Sequence, residues 1–239
     1  MMYCLFMLLA FGSAWWVNRA LVAGKAVSQT ALPRSQILFI CLIAFGVAVI
    51  FAKLPFVVFA DSQLHNAGPI FFSGKTILLG MVGGYAGVEL AKWRLGVTTK
   101  TGDQFAVPVA VGIGVGRFGC FFSGCCYGIA TEVPWGVVFG GVDSLPRHPT
   151  QIYEMLFHLT MAVMLYVLLI NGRLQNQLIK LYFISYFIYR FLTEFIRPEI
   201  RWTFGLSAYQ WAILILVPIF VILWVRDHRN VNLLQAQNN

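Results

Sequence analysis

Seven long apolar runs constrain this chain more than any other feature: Met1–Val17, Ile37–Ala60, Ile70–Ala91, Phe105–Tyr127, Ile152–Ile170, Leu178–Phe195 and Leu206–Val225. Each approaches the ~20 residues an α-helix needs to cross a hydrocarbon layer. Charged residues make up 11% of the 239 and apolar ones 59%, with a mean hydropathy of +0.76. A soluble domain carries about 25% charged residues, so a soluble enzyme is excluded. The expectation is an all-α integral membrane protein with about seven transmembrane helices. The first run is short and the third contains Lys75 and Glu89, so their bounds are the loosest. No basic stretch precedes the first run and no small-residue cleavage site follows it, which predicts a retained helix.

Loop lysines and arginines set orientation. Arg19, Lys25 and Arg34 follow the first run, Lys92, Arg94 and Lys100 the third, Arg173 and Lys180 the fifth, and Arg226 and Arg229 the seventh. Asp61–Gly68 has no Lys or Arg, and Ile129–His148 has only Arg147. An N-out, C-in topology follows. Residues 1–228 are expected to form a single seven-helix transmembrane domain, with 129–148 an outer-face loop and 229–239 a polar, frayed cytoplasmic tail. The net charge of +8 is then mostly topological, and no nucleic-acid motif accompanies it. One group breaks the rule: Arg190, Arg197 and Arg201 cluster near the predicted outer end of the sixth helix and call for an anionic partner. Elsewhere Trp15-Trp16 reads as an interfacial belt, Lys53 as a snorkelling side chain, and Asp61, His65 and Asn66 as a solvated loop.

The stretch Gly112–Gly128 carries one arginine, no acid, three cysteines and six glycines. Glycines let backbones approach closely, while a lone cation at the edge of hydrocarbon marks a functional site unless it snorkels. Cys4 and Cys41 lie in apolar spans and read as packing residues. Cys120, Cys125 and Cys126 cluster; their C-x4-C-C spacing matches no common zinc pattern, so no metal is assigned. A disulfide and a reactive thiol both stay open. Gly80, Gly83, Gly84, Tyr85 and Gly87 form a small-residue face, read either as a packing seam or as backbone lining a head-group cavity with Tyr85 pointing in.

The loop Ile129–Arg147, at about 20 residues, has the length of a binding loop or lid and runs into His148-Pro149-Thr150-Gln151-Ile-Tyr153-Glu154. Pro149 suits the first helical turn. Glu154, one turn inside an apolar helix, needs a partner, for which Arg147 and Arg117 are candidates. His158, one turn deeper, suits a helix–helix hydrogen bond. Arg190, Glu194 and Arg197 share a face at i, i+4 and i+7.

Seven spans, Gly116-Arg117-Phe-Gly119 on the fourth, H-P-x-Q-x-Y-E opening the fifth and R-x-x-x-E-x-x-R closing the sixth together resemble the bacterial prolipoprotein diacylglyceryl transferase family, from about Gly80 to Trp224. The resemblance implies transfer of a diacylglyceryl group from phosphatidylglycerol to the lipobox cysteine of a preprolipoprotein, releasing glycerol phosphate. It implies catalytic roles for Arg117, Arg190 and Glu194. It implies substrate-binding roles for Gly83, Gly84, Tyr85, Gly116, Gly119, Ser123, His148, Gln151, Tyr153, Glu154 and Arg197. Arginines suit the phosphodiester and the charge growing on the departing phosphate. The chain departs from the family's signature at Cys120 and Ser123, where asparagines are expected, at Cys125, where an acid is expected, and at Val82, where a histidine is expected.

The partners implied are a phosphatidylglycerol-like phospholipid, a protein or small thiol acceptor and the bacterial cytoplasmic (inner) membrane, for a monomer without cofactor or nucleic acid. Two other readings remain: a paralogue in which Cys120, Cys125 or Cys126 is itself the nucleophile, grouping them with the catalytic residues, and a non-catalytic phospholipid-binding or transport protein.

Overall fold

Glycine spacing in the fourth helix decides how closely the helices meet. In the computed structural model, which describes residues 2–24, 32–58 and 76–237, α4 (Gly102–Phe122) packs between α1 (Met2–Ala23) and α5 (Thr150–Ile170). A Cβ added at Gly112 would lie 3.3 Å from the carbonyl of Ala10, one at Gly116 3.1 Å from Met7, and one at Gly119 2.9 Å from Phe6. Those three glycines turn one face to α1, while Gly114 turns another to Leu159 of α5 at 3.0 Å. The two neighbours therefore sit against α4 at a separation no larger residue permits.

These three helices, with α6 (Leu178–Thr193) and α7 (Ala208–Gln237), form one compact unit. α2 (Arg34–Val58) and α3 (Ile77–Leu95) form a second, a hairpin. Within the hairpin a Cβ at Gly83 would meet Phe51 at 2.5 Å and the Val47 carbonyl at 2.8 Å, and one at Gly87 would meet the Ala44 backbone at 2.8 Å. The small-residue face is thus taken up by helix packing. Lys92 pairs with Glu89 at 3.1 Å, and Gly96 ends α3 in the left-handed region, φ 65°.

The protein is all-helical, with seven α-helices among the described residues, five of them long and apolar enough to cross a membrane. The other two have physical reasons to fall short. α6 has 16 residues, about 24 Å at 1.5 Å per residue against a ~30 Å hydrocarbon layer, and it contains Lys180 and Arg190. α3 carries Glu89, Lys92 and Arg94 within its 19 residues. Lys25, Asp61, His65, Asn66 and Lys75 lie outside the described residues, as does the side chain of Arg34.

Several bounds move from expectation. α4 stops at Phe122 rather than Tyr127, because Gly124 and Cys126 adopt left-handed backbone at φ 63° and 61°. Pro149 precedes α5 as its cap residue instead of sitting in its first turn. The loop before it folds into a small ribbon, β1 (Val137–Val138) antiparallel to β2 (Pro146–Arg147). α7 stays helical to Gln237, through the stretch read as a frayed tail. At the end of the five-helix unit remote from Arg117, Asp103 accepts backbone N–H groups of Asn176 and Leu178 at 2.5 and 3.0 Å. There Asp227 pairs with Lys180 and Lys100 at 2.8 and 2.9 Å.

Gly83→Val should lower the thermal unfolding midpoint in detergent, at a cost of about 1–3 kcal/mol or more from overpacking. Gly46→Val, where nothing stands within 4 Å of the added carbon, should leave it unchanged.

Candidate active site

Glu154 is fully buried in the first turns of α5, where an uncompensated carboxylate would cost several kcal/mol. The fold gives it two cations and a hydroxyl. Arg117 from the end of α4 reaches Oε1 at 2.5 Å, Tyr186 of α6 donates to the same oxygen at 2.7 Å, and Arg197 reaches Oε2 at 2.6 Å. Of the two expected candidates, Arg117 is the partner and Arg147 is not. Arg147 pairs with Asp143 on the loop and donates to the Gly128 carbonyl at 3.3 Å. His158 makes the helix–helix bond its spacing predicts, with Nδ1 2.7 Å from the Tyr182 hydroxyl.

A second carboxylate, Glu194, is also fully buried. It pairs with Arg190 at 2.8 Å and accepts from Ser207 Oγ at 2.7 Å. Arg201 donates to its backbone carbonyl at 2.9 Å and to Gln210 Oε1 at 3.3 Å. Arg197 does not continue this pair along one helical face. The helix tightens into a 3-10 turn over Glu194–Ile196, and Arg197 is extended at φ −106°, ψ 147°, which swings its side chain to Glu154. The three arginines and two carboxylates leave one positive charge in surplus. Arg117 Nε, Arg190 Nη1 and Arg197 Nε are buried without an acceptor among the described residues. Each orphaned buried donor costs about 1–3 kcal/mol, and an anion with several oxygens would remove that cost.

The turn after α4 lies beside this cluster. Arg117 Nη1 is 4.0 Å from Cys120 Sγ. The backbone carbonyls of Cys125 and Cys126 accept hydrogen bonds from Gln151 Nε2 at 2.5 Å and Thr150 Oγ1 at 2.6 Å. Cys120, Cys125 and Cys126 carry free thiols, the last of them exposed. Hydrogen bonds from Cys120 and Cys125, with the Arg117 guanidinium behind them, hold the Cys126 thiol below the ordinary thiol range. Hydrogen bonds with Cys120 and Cys126, and then burial, push the Cys125 thiol up. Gly128 closes the turn where a Cβ would strike the Ile196 carbonyl at 2.6 Å.

Toward the loop, Tyr153 accepts from Trp135 Nε1 at 2.7 Å and lies 3.2 Å from His148 Nδ1. Ser123 is exposed just beyond α4. Gly116 and Gly119 serve contact with α1. Gly83, Gly84 and Tyr85 belong to the α2–α3 hairpin, described by itself.

Sequence reasoning missed Tyr186, Ser207, Tyr209, Gln210 and Glu199 as members of the site, while Arg201, singled out there, is placed beside Glu194. Tyr182, Tyr186 and Arg190 recur at i, i+4 and i+8 on one helix, a polar stripe that was legible. Tyr209, whose ring lies 5.4 Å from the Arg190 guanidinium carbon, and Gln210 open α7. Burial, then the neighbouring Glu194 charge, raises the proton affinity of Glu199, which also feels Cys126.

The fold and this site define a helical membrane protein with a buried cluster of three guanidiniums and two carboxylates. The family model described as prolipoprotein diacylglyceryl transferase matches residues 1–226, and the chain belongs to that family. Among its relatives, the phosphatidylglycerol–prolipoprotein diacylglyceryl transferase of Pseudoalteromonas atlantica is 31% identical over 82% of this chain and 70% of its own. The enzyme of the same name from Geobacter sulfurreducens is 29% identical over 92% of this chain and 86% of its own. That of Methylobacillus flagellatus is 38% identical over 54% of this chain and 53% of its own.

Glu154→Gln leaves Arg117 and Arg197 without their anion and should cost about 3–5 kcal/mol, read as a lower unfolding midpoint in detergent. Tyr186→Phe removes one hydrogen bond from the same carboxylate and should cost only about 1 kcal/mol.

Proposed function

We propose that this chain is a transferase that moves the diacylglyceryl group of phosphatidylglycerol onto a cysteine thiol of a prolipoprotein. The observation that carries the reading is the set of buried, unpartnered guanidinium nitrogens on Arg117, Arg190 and Arg197, in a cluster with one surplus positive charge. A phosphodiester carries one negative charge. When the acceptor sulfur attacks the glyceryl carbon, the C–O bond breaks toward phosphorus and the departing glycerol phosphate gains a second charge. The arginines therefore hold the leaving group more tightly as the bond breaks than before, which is how binding becomes rate. The Glu154 and Glu194 pairs fix the guanidiniums in place beforehand.

The acceptor thiol must lose its proton to react. Glu199, half-buried with a raised proton affinity, suits the general base. An apolar cavity of about 410 Å³ between α1, α4 and α5, lined by residues that include Leu21, Val107, Val111, Ala162 and Tyr166, suits an acyl chain. Seven spans with the N-terminus out would put the arginine end at the outer face of a bacterial inner membrane, where a translocated prolipoprotein would meet it. His148, Tyr153 and Trp135 would border the approach of the acceptor. One chain supplies every group named, so a monomer suffices.

Transfer of labelled lipid from phosphatidylglycerol vesicles to a cysteine-containing prolipoprotein peptide tests this. Wild type should transfer, and Arg117→Ala or Arg190→Ala should each lower kcat/KM by about 10²–10³-fold, the scale of removing one donor to developing charge. No transfer by wild type, under conditions where a relative works, rejects the reading.

A further inference from the structure

The thiols of Cys120, Cys125 and Cys126 all lie within 4.8 Å of one another. Around a zinc ion with Zn–S near 2.3 Å, tetrahedral thiolates stand about 3.8 Å apart, so small rotamer changes close the trio on an ion. The spacing along the chain matches no common zinc pattern because the convergence is made in three dimensions. Cys120 ends α4, and a turn with left-handed backbone at Gly124 and Cys126 folds the other two back over it. A left-handed φ at a residue with a side chain costs of order 1–3 kcal/mol and persists only when the surroundings impose it. Here the two buried side chains of Thr150 and Gln151 impose it, by holding the carbonyls of Cys126 and Cys125.

The cluster also has an open side. Cys126 is exposed, and among the described residues no His or carboxylate joins the three sulfurs as a fourth ligand. Three protein ligands with a free position are the pattern of a reactive zinc site, and a thiol that coordinates zinc is deprotonated outright. Arg117, 4.0 Å from Cys120, ties the cluster to the phosphate-binding end of the pocket.

We propose that Cys120, Cys125 and Cys126 form a three-thiolate site for a zinc-class divalent ion whose fourth position takes the acceptor thiol. The inference rests on the transferase reading above. The acceptor S–H binds the ion as thiolate and its proton leaves to water, since a thiol that coordinates zinc is deprotonated. Its sulfur then forms a bond to the glyceryl carbon while the C–O bond breaks and its electron pair leaves with glycerol phosphate. The product is a thioether, a far weaker ligand than a thiolate, and water displaces it. The cysteines are ligands rather than acceptors, since a thioether on one of them would end turnover.

The test uses full-length protein in detergent, in a background lacking Cys4 and Cys41, purified under reductant and loaded with Zn²⁺ or Co²⁺. Wild type should retain about one zinc per chain. Its cobalt form should show a sulfur-to-metal charge-transfer band and intense four-coordinate visible bands. Each single Cys→Ser variant should lose at least the roughly tenfold in affinity that even outer-shell changes cost, and the triple variant should lose the bands altogether. A prolipoprotein peptide with its cysteine should shift the visible bands, and the same peptide with serine should not. Failure to retain metal, bands that survive in the triple variant, bands that ignore the thiol peptide, or a Cys120–Cys125 or Cys120–Cys126 disulfide in mass mapping would each overturn the proposal. Arg190→Ala separates the two readings: it should lower transfer by the same roughly 10²–10³-fold and leave the cobalt spectrum intact. A wild type that binds cobalt and answers the thiol peptide but transfers no lipid rejects the transferase reading and not the metal site.

Discussion

One carboxylate holds the functional end of this molecule together. Glu154 stands on α5, and its partners come from α4, from α6 and from the extended segment after α6. Without it, two guanidiniums would be buried with no counter-charge, and four stretches of chain would lose their common anchor. With it, the arginines keep donors to spare, because Glu154 and Glu194 together neutralise two charges of three. The cluster therefore keeps one positive charge in surplus, buried beside its two carboxylates.

α4 makes that arrangement possible. Its glycines bring α1 and α5 against its backbone, so Arg117 emerges at the point where α5 and α6 converge. At the opposite end Asp103 of α4 holds the backbone N–H groups of Asn176 and Leu178, and Asp227 of α7 holds Lys180 of α6 and Lys100 ahead of α4. The polar groups of the five-helix unit thus lie at its two ends, with apolar packing between them, the distribution a low-dielectric surround demands.

The motif opening α5 proves to have divided work. Thr150 and Gln151 support the backbone of the cysteine turn, Tyr153 joins His148 and Trp135, and Glu154 alone serves the arginines. Residues adjacent in sequence therefore act on opposite sides of one pocket. The turn they support is also where the chain departs from its family's signature. Two of its cysteines, Cys120 and Cys125, stand where asparagine and an acid are expected, while Arg117 and Arg190 stand where the signature expects arginine.

Much of this was legible from the amino-acid sequence. Apolar run length and sparse charge determine a helical membrane protein, because an unpaired backbone is intolerable in hydrocarbon. The motifs around Arg117, Glu154 and Arg190 mark the residues that an apolar environment makes costly, hence functional. Tertiary structure alone decided the pairings. Local periodicity put Arg197 on the face of Glu194, yet the 3-10 turn sends it to Glu154. Proximity in sequence favoured Arg147 for Glu154, yet a β-ribbon binds Arg147 to Asp143. The convergence of three cysteines depends on left-handed backbone at Cys126, which no spacing rule reveals. Periodicity reports which way a side chain leaves its own helix; which charge it meets depends on where distant helices bring theirs.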